Sequence, residues 1–398
     1  MSDDGRMEGV GTTTPLIAAE EILRRQERAR DEAAQRGYGA LLVVGRSFYD
    51  RCGDLAYLTN HFPPFPTSVF SDVNRGLGHG FFLLPVDGDP LLLTDPRGYR
   101  RDIVPVADVR RASNLDAAVV EALRERRLST SKLGLVGDDI LPSIMERSIA
   151  AALPGLELVP ERDLLPELRR IKSRAEQDLL REAAKRADAG LRAAIDTVGT
   201  GGATEQDVCA AGTGAALRAG ADFVRYLRVH SGPWSAAGSR WPQAMPRVIE
   251  PGDVVAMDII GAFGGYQFDA LRTTVAAPVD QERRAMLDLV KTASERAVAA
   301  SVAGATAGEV VDAAAKTYEG SPFAAYTGLM MGHGIGLETV EAPYLQHGSP
   351  ERLEPGMVLC VEPGIFVPDW AGASIEQEVI IRPDGPPEVI TPTATRLW

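Results

Sequence analysis

The chain has few of the features that mark several common classes of protein. Its 398 residues include only three cysteines, Cys52, Cys209 and Cys360. Because these cysteines are few, widely spaced and odd in number, they exclude a disulfide scaffold and suit a reducing cytoplasm. Basic residues are also in the minority, 42 against 55 acidic, which gives a net charge of −13. An acidic protein repels phosphate backbones and anionic lipid, so we expect neither nucleic acid nor a membrane surface as a partner.

Long apolar segments are missing as well. No run approaches the roughly 20 residues that a membrane-spanning helix needs. Residues 1–15 are polar, acidic and rich in Gly and Thr; they lack the basic start and apolar core of a signal peptide, and we expect a frayed tail. Hydrophobic content of 45% and charged content of 24% are typical of globular proteins. The length favours two domains, so the sequence predicts a two-domain cytoplasmic protein.

Helical and strand patterns alternate through the first part of the chain. An amphipathic pattern over 16–37 ends at a glycine, as helices commonly do. Further patterns predict strands at 40–44, 81–84, 91–94 and 132–136, and helices at 115–126 and 141–152. This alternation predicts a smaller α/β N-terminal domain over residues 16–163.

The remaining residues, 164–398, combine helices with longer strand patterns. A long helical pattern covers 164–198, and we interpret it as the connection into the second domain followed by that domain's first helix. Thr204 and Thr306, each followed three residues later by an acid, predict N-caps. The predicted helices are 205–219, 281–301 and 307–318, and the predicted strands are 223–230, 254–260, 266–275, 357–366 and 374–381. We therefore predict an α+β domain with long antiparallel strands and helices packed on one face.

Two aspartates occupy predicted neighbouring strands in this second domain. Asp258 ends an apolar strand, and Asp269 lies on the strand that follows a glycine-rich turn. A turn at Phe263-Gly264 would make the two aspartates direct cross-strand neighbours, with Cβ atoms roughly 5 Å apart. Two like charges so placed repel each other unless a cation lies between them.

A second acidic pair and a histidine lie further along the chain. A hairpin centred on Asp369 would place Glu362 opposite Glu376, although the intervening loop is long enough to contain a bulge. Between the two hairpins, the segment 332–336 carries His333 among glycines, and we expect a flexible segment that presents the imidazole. A lone acid at a strand end is usually solvated and a lone Gly-His-Gly is usually a loop, but all five residues together point to a site.

The five side chains form a donor set suited to metal ions. Four carboxylates and one neutral imidazole carry a charge of −4, which two divalent cations would balance. Oxygen-rich sites with a single nitrogen ligand suit Mn, Fe, Co or Zn rather than a structural zinc. Two such ions can share a water, lower its pKa and polarise a substrate carbonyl.

The same residues resemble the motifs of the creatinase/prolidase family, whose catalytic domain has the "pita-bread" fold and which includes aminopeptidase P, prolidase and methionine aminopeptidase. The matching segments, which extend over nearly the whole chain, are 55–60, 168–176, 252–258, 269–273, 332–337, 361–364 and 375–376. The resemblance implies a pita-bread catalytic domain over 164–398, a creatinase-like N-terminal domain, and a homodimer in which the N-terminal domain lies near the partner's active site.

The resemblance also implies roles for the five residues. Asp258 would bind one metal, Asp269 and Glu376 would bridge both, and His333 and Glu362 would hold the second. Manganese is the preferred ion, with Fe, Co or Zn as alternatives. Glu362 would in addition move a proton from the bridging water to the leaving group.

The sequence departs from the prolyl peptidases of the family where they read their substrate. Those peptidases have one histidine after the metal-binding histidine, where this chain has Val340, and another before it, where this chain has Leu329. They also have an arginine before the last glutamate, where this chain has Ser374. The segment after Ser231-Gly232, which usually carries another histidine, has none. Loss of one oxyanion donor costs about 10²–10³ in rate, so we expect a substrate other than an ordinary Xaa-Pro peptide.

Other residues could bind the substrate. Arginines with aromatic neighbours suit a small carboxylate or a cation-bearing ligand, and His230 is the candidate for a second catalytic group. The predicted substrate contacts are Arg225, Arg228, Trp234, Arg240, Trp241 and Val340, with Tyr57 and His61 contributed across a dimer. Each of the arginines and tryptophans could instead be a rim or interface residue. Cys360 should share a face with Glu362, and apolar packing is its expected role.

Four functions remain open at this point. The leading hypothesis is a binuclear hydrolase that cleaves a C–N bond, amide or peptide, in a small amino-acid-like substrate with the help of the bridging hydroxide. One alternative is a lyase resembling the dimethylsulfoniopropionate lyase of the same fold, although Ile260 stands where that enzyme has an additional aspartate. The others are an Xaa-Pro peptidase and a catalytically silent binding module.

Overall fold

The computed structural model of the chain describes residues 17–67, 71, 73–237 and 241–398. Its α-helices are α1 (Ala19–Gln35), α2 (Gly53–Thr59), α3 (Leu115–Glu125), α4 (Ser143–Ala152), α5 (Leu164–Arg170), α6 (Arg174–Gly199), α7 (Glu205–Arg218), α8 (Gln281–Ala300) and α9 (Ala307–Tyr318). The predicted tail, 1–15, lies outside the described residues. No helix of the described ranges is long and apolar enough to cross a membrane.

The strands divide between two parts of the chain. The first part contains β1 (Ala40–Arg46), β2 (His79–Pro85), β3 (Leu91–Thr94), β4 (Asp108–Arg111), β5 (Lys132–Val136) and β6 (Glu157–Pro160). The second part contains β7 (Phe223–Ser231), β8 (Val254–Phe263), β9 (Tyr266–Val275), β10 (Met330–Gly334), β11 (Glu341–Gln346), β12 (Val358–Val361), β13 (Gly364–Val367), β14 (Ala371–Ser374), β15 (Gln377–Ile380) and β16 (Glu388–Val389).

The N-terminal strands form one mixed sheet in the order β4-β3-β2-β1-β5-β6. Strand β1 is buried on both faces because helices cover both sides of the sheet. Leu41 and Val43 belong to the apolar cluster that includes α1 and α2, whereas Leu42 and Val44 belong to the cluster that includes α3 and α4. This is the predicted α/β architecture; the boundary at 163/164 falls between β6 and α5 and stays a prediction.

The helical pattern over 164–198, predicted as the connection into the second domain followed by that domain's first helix, contains two helices. Helix α5 ends at Arg170, and α6 begins after Ser173, whose side chain accepts a hydrogen bond from the Glu176 backbone N–H while the Glu176 carboxylate accepts one from Ser173 N–H. This reciprocal cap starts a new helix where propensity alone favours continuation. Thr204 and Thr306 form capping boxes of the same kind, as predicted.

The second part forms a three-stranded sheet, β7-β8-β9, a five-stranded sheet, β11-β10-β12-β15-β16, and the small β13-β14 ladder. Helices α6 and α7 pack on one side of the three-stranded sheet, and α8 and α9 share an apolar cluster with the five-stranded sheet. The helices thus cover the outer faces, and the inner faces carry the polar residues. The predicted α+β class and pita-bread architecture are confirmed.

Candidate metal centre

The β8–β9 hairpin positions the two aspartates, but not in the predicted register. Ile260, rather than Asp258, pairs with Asp269, and Asp258 pairs with Leu271. The turn lies at Gly264-Gly265, both with positive φ, which is the backbone of a tight two-residue hairpin turn. The prediction of a turn at Phe263-Gly264 is therefore wrong by one residue, and the aspartates are diagonal neighbours on one face.

The second acidic pair follows its predicted register. Val361 pairs with Gln377 in the β12–β15 ladder, and Gly364 pairs with Ser374 in the β13–β14 ladder. Glu362 and Glu376 face each other at the break between these two ladders. The hairpin turns around Asp369, whose φ is 57°, so the register survives although the long strand predicted over 357–366 is divided in two.

His333 lies on a strand, β10, and not on the flexible segment that its flanking glycines suggested. Strand β10 pairs with β11 on one side and with β12 on the other. A Cβ atom on Gly332 would lie 2.1 Å from the Cys360 carbonyl oxygen, and one on Gly334 would lie 2.4 Å from that of Ala342. The glycines therefore permit close strand approach, and they hold the imidazole instead of freeing it.

These strands bring the predicted ligands together. Ligand atoms of Asp269, His333 and Glu376, together with the Cys360 sulfur, lie within 4.8 Å of one another. His333 Nε2 is 3.4 Å from Glu362 Oε1 and 3.9 Å from Asp269 Oδ2. Asp258 is close enough to share a hydrogen bond with Asp269.

The carboxylates repel one another in this arrangement. Burial raises the pKa of Asp269 and of Glu376 well above the usual range, and the neighbouring acids raise both further. Burial and the Asp258 charge raise the pKa of Glu362 to about 8. Raised pKa values in several neighbouring acids indicate a site that has too little positive charge to balance their carboxylates.

The donor set fits divalent ions. Among the described residues, Asp258 Oδ1 and Glu376 Oε1 are buried without a hydrogen-bond partner, so each has a lone pair available. His333 Nδ1 lies 3.0 Å from the Gly334 carbonyl oxygen, which fixes the proton on Nδ1 and leaves Nε2 as the ligand nitrogen. Burial lowers the pKa of His333, so its imidazole is the neutral form that binds metal.

Cys360 lies beside these ligands as a protonated thiol. It is fully buried, and burial together with the Glu376 charge raises its pKa well above the usual range. Its sulfur is 3.9 Å from the Asp269 carbonyl oxygen, and its S–H also interacts with Glu376. The expected role of apolar packing is thus incomplete, because the thiol also contacts the acids.

Arg228 contacts the site most directly among the predicted substrate residues. It pairs with Asp258 across the β7–β8 ladder, and its guanidinium forms an ion pair with Asp258 Oδ2. The same Nη2 donates to the Tyr226 hydroxyl at 2.8 Å, and the guanidinium lies 4.7 Å from the centre of that ring. His230 is buried two residues further along β7, and strand alternation places it on the face of Arg228 and Asp258.

Two buried charged residues behind the ligands were missed as parts of the site. Arg272 is fully buried and donates to the carbonyl oxygens of Glu376 and Thr393, which fixes the backbone of one predicted ligand. Glu378 accepts a hydrogen bond of 2.7 Å from the Asp269 N–H. The sequence could have indicated Glu378 as part of the site, because it lies two residues after Glu376 and therefore on the same face of an extended segment.

The other predicted substrate contacts have different surroundings. A bulge between Val224 and Tyr226 removes Arg225 from the regular ladder. Its charge acts on Cys52, the residue that precedes α2 in the N-terminal domain. Trp241 is 84% exposed and lines a cavity of about 560 Å³ against α7. Trp234 is half exposed in a short 3₁₀ helix. Arg240 lies outside the described residues.

The positions that depart from the prolyl peptidases fall into two groups. Leu329 and Val340 are exposed, at 86% and 48%. Ser374 is buried, and its hydroxyl donates to the backbone carbonyls of Glu362 and Pro363 at 3.1 and 3.2 Å. Ser374 thus supports the backbone beside a predicted ligand, and its side chain is not directed at a substrate.

Tyr57 and His61 are buried inside their own chain. The Tyr57 hydroxyl donates to the Leu168 carbonyl oxygen at 3.1 Å, and its ring lies 4.3 Å from the Arg25 guanidinium. His61 is 2% exposed, and burial lowers its pKa to about 4. Both side chains are thus buried in their own chain, and Tyr57 contacts Leu168 beyond the predicted domain boundary; their contribution to a substrate across a dimer stays a prediction.

Comparison with known proteins identifies the class to which this fold and site belong. The profile of metallopeptidase family M24 matches residues 178–383, which is more than half of the chain. The chain belongs to this family, and the resemblance to the creatinase/prolidase proteins is confirmed.

Individual relatives are similar over different lengths. The probable dipeptidase PepE of Mycobacterium bovis is 34% identical over 62% of this chain, and the match spans 65% of that relative's length. The Xaa-Pro dipeptidase of Pyrococcus furiosus is 28% identical over 78% of this chain and 86% of its own. The solved Xaa-Pro dipeptidase of Bacillus anthracis covers 94% of this chain and 99% of its own, with 28% identity and a TM-score of 0.79.

Proposed function

We propose that the protein is a metal-dependent hydrolase that cleaves the C–N bond, amide or peptide, of a small amino-acid-like substrate. The observation that carries this proposal is the buried group of carboxylates around His333. The acids have raised pKa values and buried oxygens without hydrogen-bond partners among the described residues, and both are properties of a site built for cations. Membership of metallopeptidase family M24 supports the same reaction class.

The proposed ligands are those predicted from the sequence. Asp258, Asp269, His333, Glu362 and Glu376 would hold the two ions. We propose manganese as the physiological ion, with Fe, Co or Zn as alternatives, since oxygen ligands with one imidazole suit these metals. Two divalent ions, when bound, supply a water of lowered pKa and polarise the scissile carbonyl.

The chain itself supplies the proton transfer and the positioning. Glu362 lies 3.4 Å from His333, its side chain is 28% exposed, and it therefore reaches both the ligands and the solvent side of the site. Burial and the Asp258 charge raise its pKa to about 8 in the metal-free protein, and bound cations would lower it. We propose that it takes a proton from water and delivers it to the leaving nitrogen. His230, on the same sheet face as Asp258, is proposed as a second polar group facing the substrate.

We propose a substrate that differs from an ordinary Xaa-Pro peptide. Leu329 and Val340 carry no polar group that could stabilise an oxyanion, and Ser374 uses its hydroxyl on the backbone. The proposed substrate contacts are Arg228, Trp234 and Val340. The competing candidate, an Xaa-Pro dipeptidase, is favoured by the names of relatives such as those of Pyrococcus furiosus and Bacillus anthracis.

The proposed setting is a cytoplasmic homodimer. Cys52, Cys209 and Cys360 are all free thiols, which suits a reducing compartment. The dimer is proposed from the family resemblance, and sedimentation or light scattering of the purified protein tests it.

The decisive experiment combines metal reconstitution with product analysis. Protein stripped by chelator is reloaded separately with Mn, Co, Fe or Zn and assayed on a panel of dipeptides, amino-acid amides and dimethylsulfoniopropionate in labelled water. Hydrolysis incorporates the label into the acid product, whereas a lyase releases an unsaturated acid without it. Absence of metal-dependent turnover on the whole amide panel would contradict the proposal. Preferred turnover of Xaa-Pro dipeptides would favour the competing candidate.

A further inference from the structure

A buried arginine, Arg169 of α5, joins the N-terminal domain to the sheet that carries His333. Its Nη1 donates to Asp54 Oδ1 of α2 at 2.6 Å, and its Nη2 forms an ion pair with Glu341 Oε1 at the start of β11. All three side chains are at most 13% exposed. One guanidinium therefore holds a carboxylate from each of the two domains, largely away from solvent.

The Glu341 carboxylate also organises the turn between β10 and β11. Its Oε1 accepts a hydrogen bond of 2.9 Å from the Glu338 N–H, which closes a short loop around Val340. Its Oε2 accepts one of 3.1 Å from Lys172 Nζ. Burial opposes the ionisation of this carboxyl group, but the charges of Arg169 and Lys172 outweigh it and lower the pKa of Glu341 to about 2. The position of this carboxylate therefore fixes the backbone of the turn.

Helix α2 contacts the same turn directly. Gly53, its first residue, donates its N–H to Glu338 Oε1 at 2.5 Å. A Cβ atom on Gly53 would lie 2.7 Å from both Arg169 Nη2 and Glu338 Oε1, so the helix approaches the turn as closely as a glycine permits. The turn is therefore attached to the N-terminal domain at two points, one through Arg169 and one through Glu338.

The turn lies beside the predicted metal ligands but does not carry them. Its Gly336 carbonyl oxygen accepts a hydrogen bond of 2.8 Å from the N–H of Gln267, two residues before Asp269 on β9. His333 itself is held by the β10–β12 ladder. Val340 is half exposed and depends on the turn for its position. A shift of the turn should therefore move the proposed rim and leave the ligands in place.

Resting on the function proposed above, we propose that Arg169 is a positioning residue for the substrate side of the site. It fixes Val340 through Glu341, and through Asp54 it makes that position depend on the N-terminal domain. A guanidinium suits this task because its forked donors can bind two carboxylates at once, whereas the ammonium of lysine is a single point charge. The N-terminal domain thus acts on the site of its own chain through this contact.

Hydrogen exchange tests the assignment without turnover, on protein with and without Mn. The amides of residues 335–341 should exchange roughly 10- to 100-fold faster in Arg169→Met, the factor that corresponds to the loss of a charged hydrogen bond. The amides of β12 should be unchanged, and Arg169→Lys should restore part of the protection. Arg170→Met, which removes a partly exposed ion pair with Glu351 on the same helix, is the control and should exchange like the wild type. Equal acceleration in the turn and in β12 would mean general destabilisation and would overturn the assignment.

A double-mutant cycle tests the link to the N-terminal domain. Asp54→Asn is the milder change, and in otherwise wild-type protein it should accelerate exchange of the turn amides roughly tenfold. It should cause no acceleration in Arg169→Met, where the pair is already broken. The same acceleration in both backgrounds would overturn the link. If Arg169→Met does not fold, Asp54→Asn alone decides, and unchanged exchange of its turn amides would overturn the proposal.

Kinetics and metal content separate this inference from the hydrolase proposal. On the most rapidly cleaved substrate of the amide panel, Arg169→Met should raise KM roughly tenfold with a smaller change in kcat. Bound Mn, measured by elemental analysis, should equal that of the wild type. A lower kcat at unchanged KM, or a loss of Mn, would mean that Arg169 supports the ligands rather than the rim and would overturn the assignment. Wild-type protein without turnover, combined with faster exchange confined to the turn in Arg169→Met, would overturn only the hydrolase.

Discussion

The floor and the rim of the site differ in how the chain holds them. The floor consists of the predicted ligands, Asp258, Asp269, His333, Glu362 and Glu376. The proposed rim consists of Leu329 and Val340. Most floor side chains are buried on or beside paired strands, with Asp269, His333 and Glu376 at 2–5% exposure, whereas the rim side chains are 48–86% exposed.

This difference explains why one region matches a family pattern and the other does not. Each floor residue depends on strand register, so a change there disturbs a ladder as well as the donor set. A rim residue ends in solvent, where most substitutions alter stability by less than about 0.5 kcal/mol. Rim residues can therefore differ between proteins with different substrates, while the floor residues stay the same set of predicted metal ligands.

The largest effect should come from removing one floor carboxylate. Asp269→Asn should lower kcat/KM by at least about 10³-fold, because the metal contribution to catalysis is several kcal/mol. It should also reduce metal content, measured by elemental analysis. The chelator-treated variant should nevertheless be more stable than the wild type, because the folded wild type must either protonate this buried acid or bear its repulsion by the neighbouring acids.

Asp196→Asn, at an exposed position on α6, is the matched control for this variant. It should change neither metal content nor rate. An Asp269→Asn protein with full metal content and normal turnover would break the distinction between floor and rim.

Sequence reasoning located the floor residues but not their arrangement. The apolar strands around Asp258 and Asp269 are readable from the pattern, whereas the turn depended on whether Phe263 or Gly265 joins Gly264 in it. Only glycine tolerates the positive φ of both turn positions without cost, and that criterion selects the observed register.

Tertiary contacts account for the features that the sequence did not reveal. Gly332 and Gly334 were read as flexible because their neighbours in space, the Cys360 and Ala342 carbonyls, come from other strands. The ion pair of Arg228 with Asp258 likewise required the β7–β8 ladder. Local pattern predicts elements well, but which faces meet is decided by pairing between distant segments.

The second prediction concerns the support behind the floor. Arg272→Met removes a buried cation that donates to the Glu376, Thr391 and Thr393 carbonyl oxygens. Such changes leave buried acceptors without donors and cost about 3–5 kcal/mol. Urea unfolding of the metal-free protein should show this loss. Arg192→Met, at a largely exposed position, should lose less than about 1 kcal/mol, and an equal loss in both variants would contradict the role of Arg272.

The third prediction alters the rim alone. Val340→His restores an imidazole at the position where prolyl peptidases of the family carry one, and a single oxyanion donor is worth about 10²–10³ in rate when well placed. We expect a smaller gain, roughly tenfold, in the ratio of Ala-Pro to Ala-Leu hydrolysis, because the other rim residue, Leu329, stays apolar. Val340→Leu is the control. An unchanged ratio in Val340→His would mean that residue 340 does not face the substrate.

The smallest effect should come from Glu338, which lies between the floor strand β10 and the rim residue Val340. It accepts a hydrogen bond from Gly53 N–H of α2, and burial raises its pKa to about 7 from an ordinary value of 4.5. The folded state therefore holds a proton that the unfolded state releases between about pH 4.5 and 7, and stability falls as the pH rises through that window. Glu338→Gln cannot release a proton, so its unfolding free energy should lose this component of the pH slope, at most about 1.4 kcal/mol per pH unit. Thermal and urea unfolding at several pH values measure the slope. Glu319→Gln, at an exposed position, is the control and should have the same pH slope as the wild type. Identical slopes in Glu338→Gln and wild type would show that the link between rim and N-terminal domain does not depend on this carboxyl group.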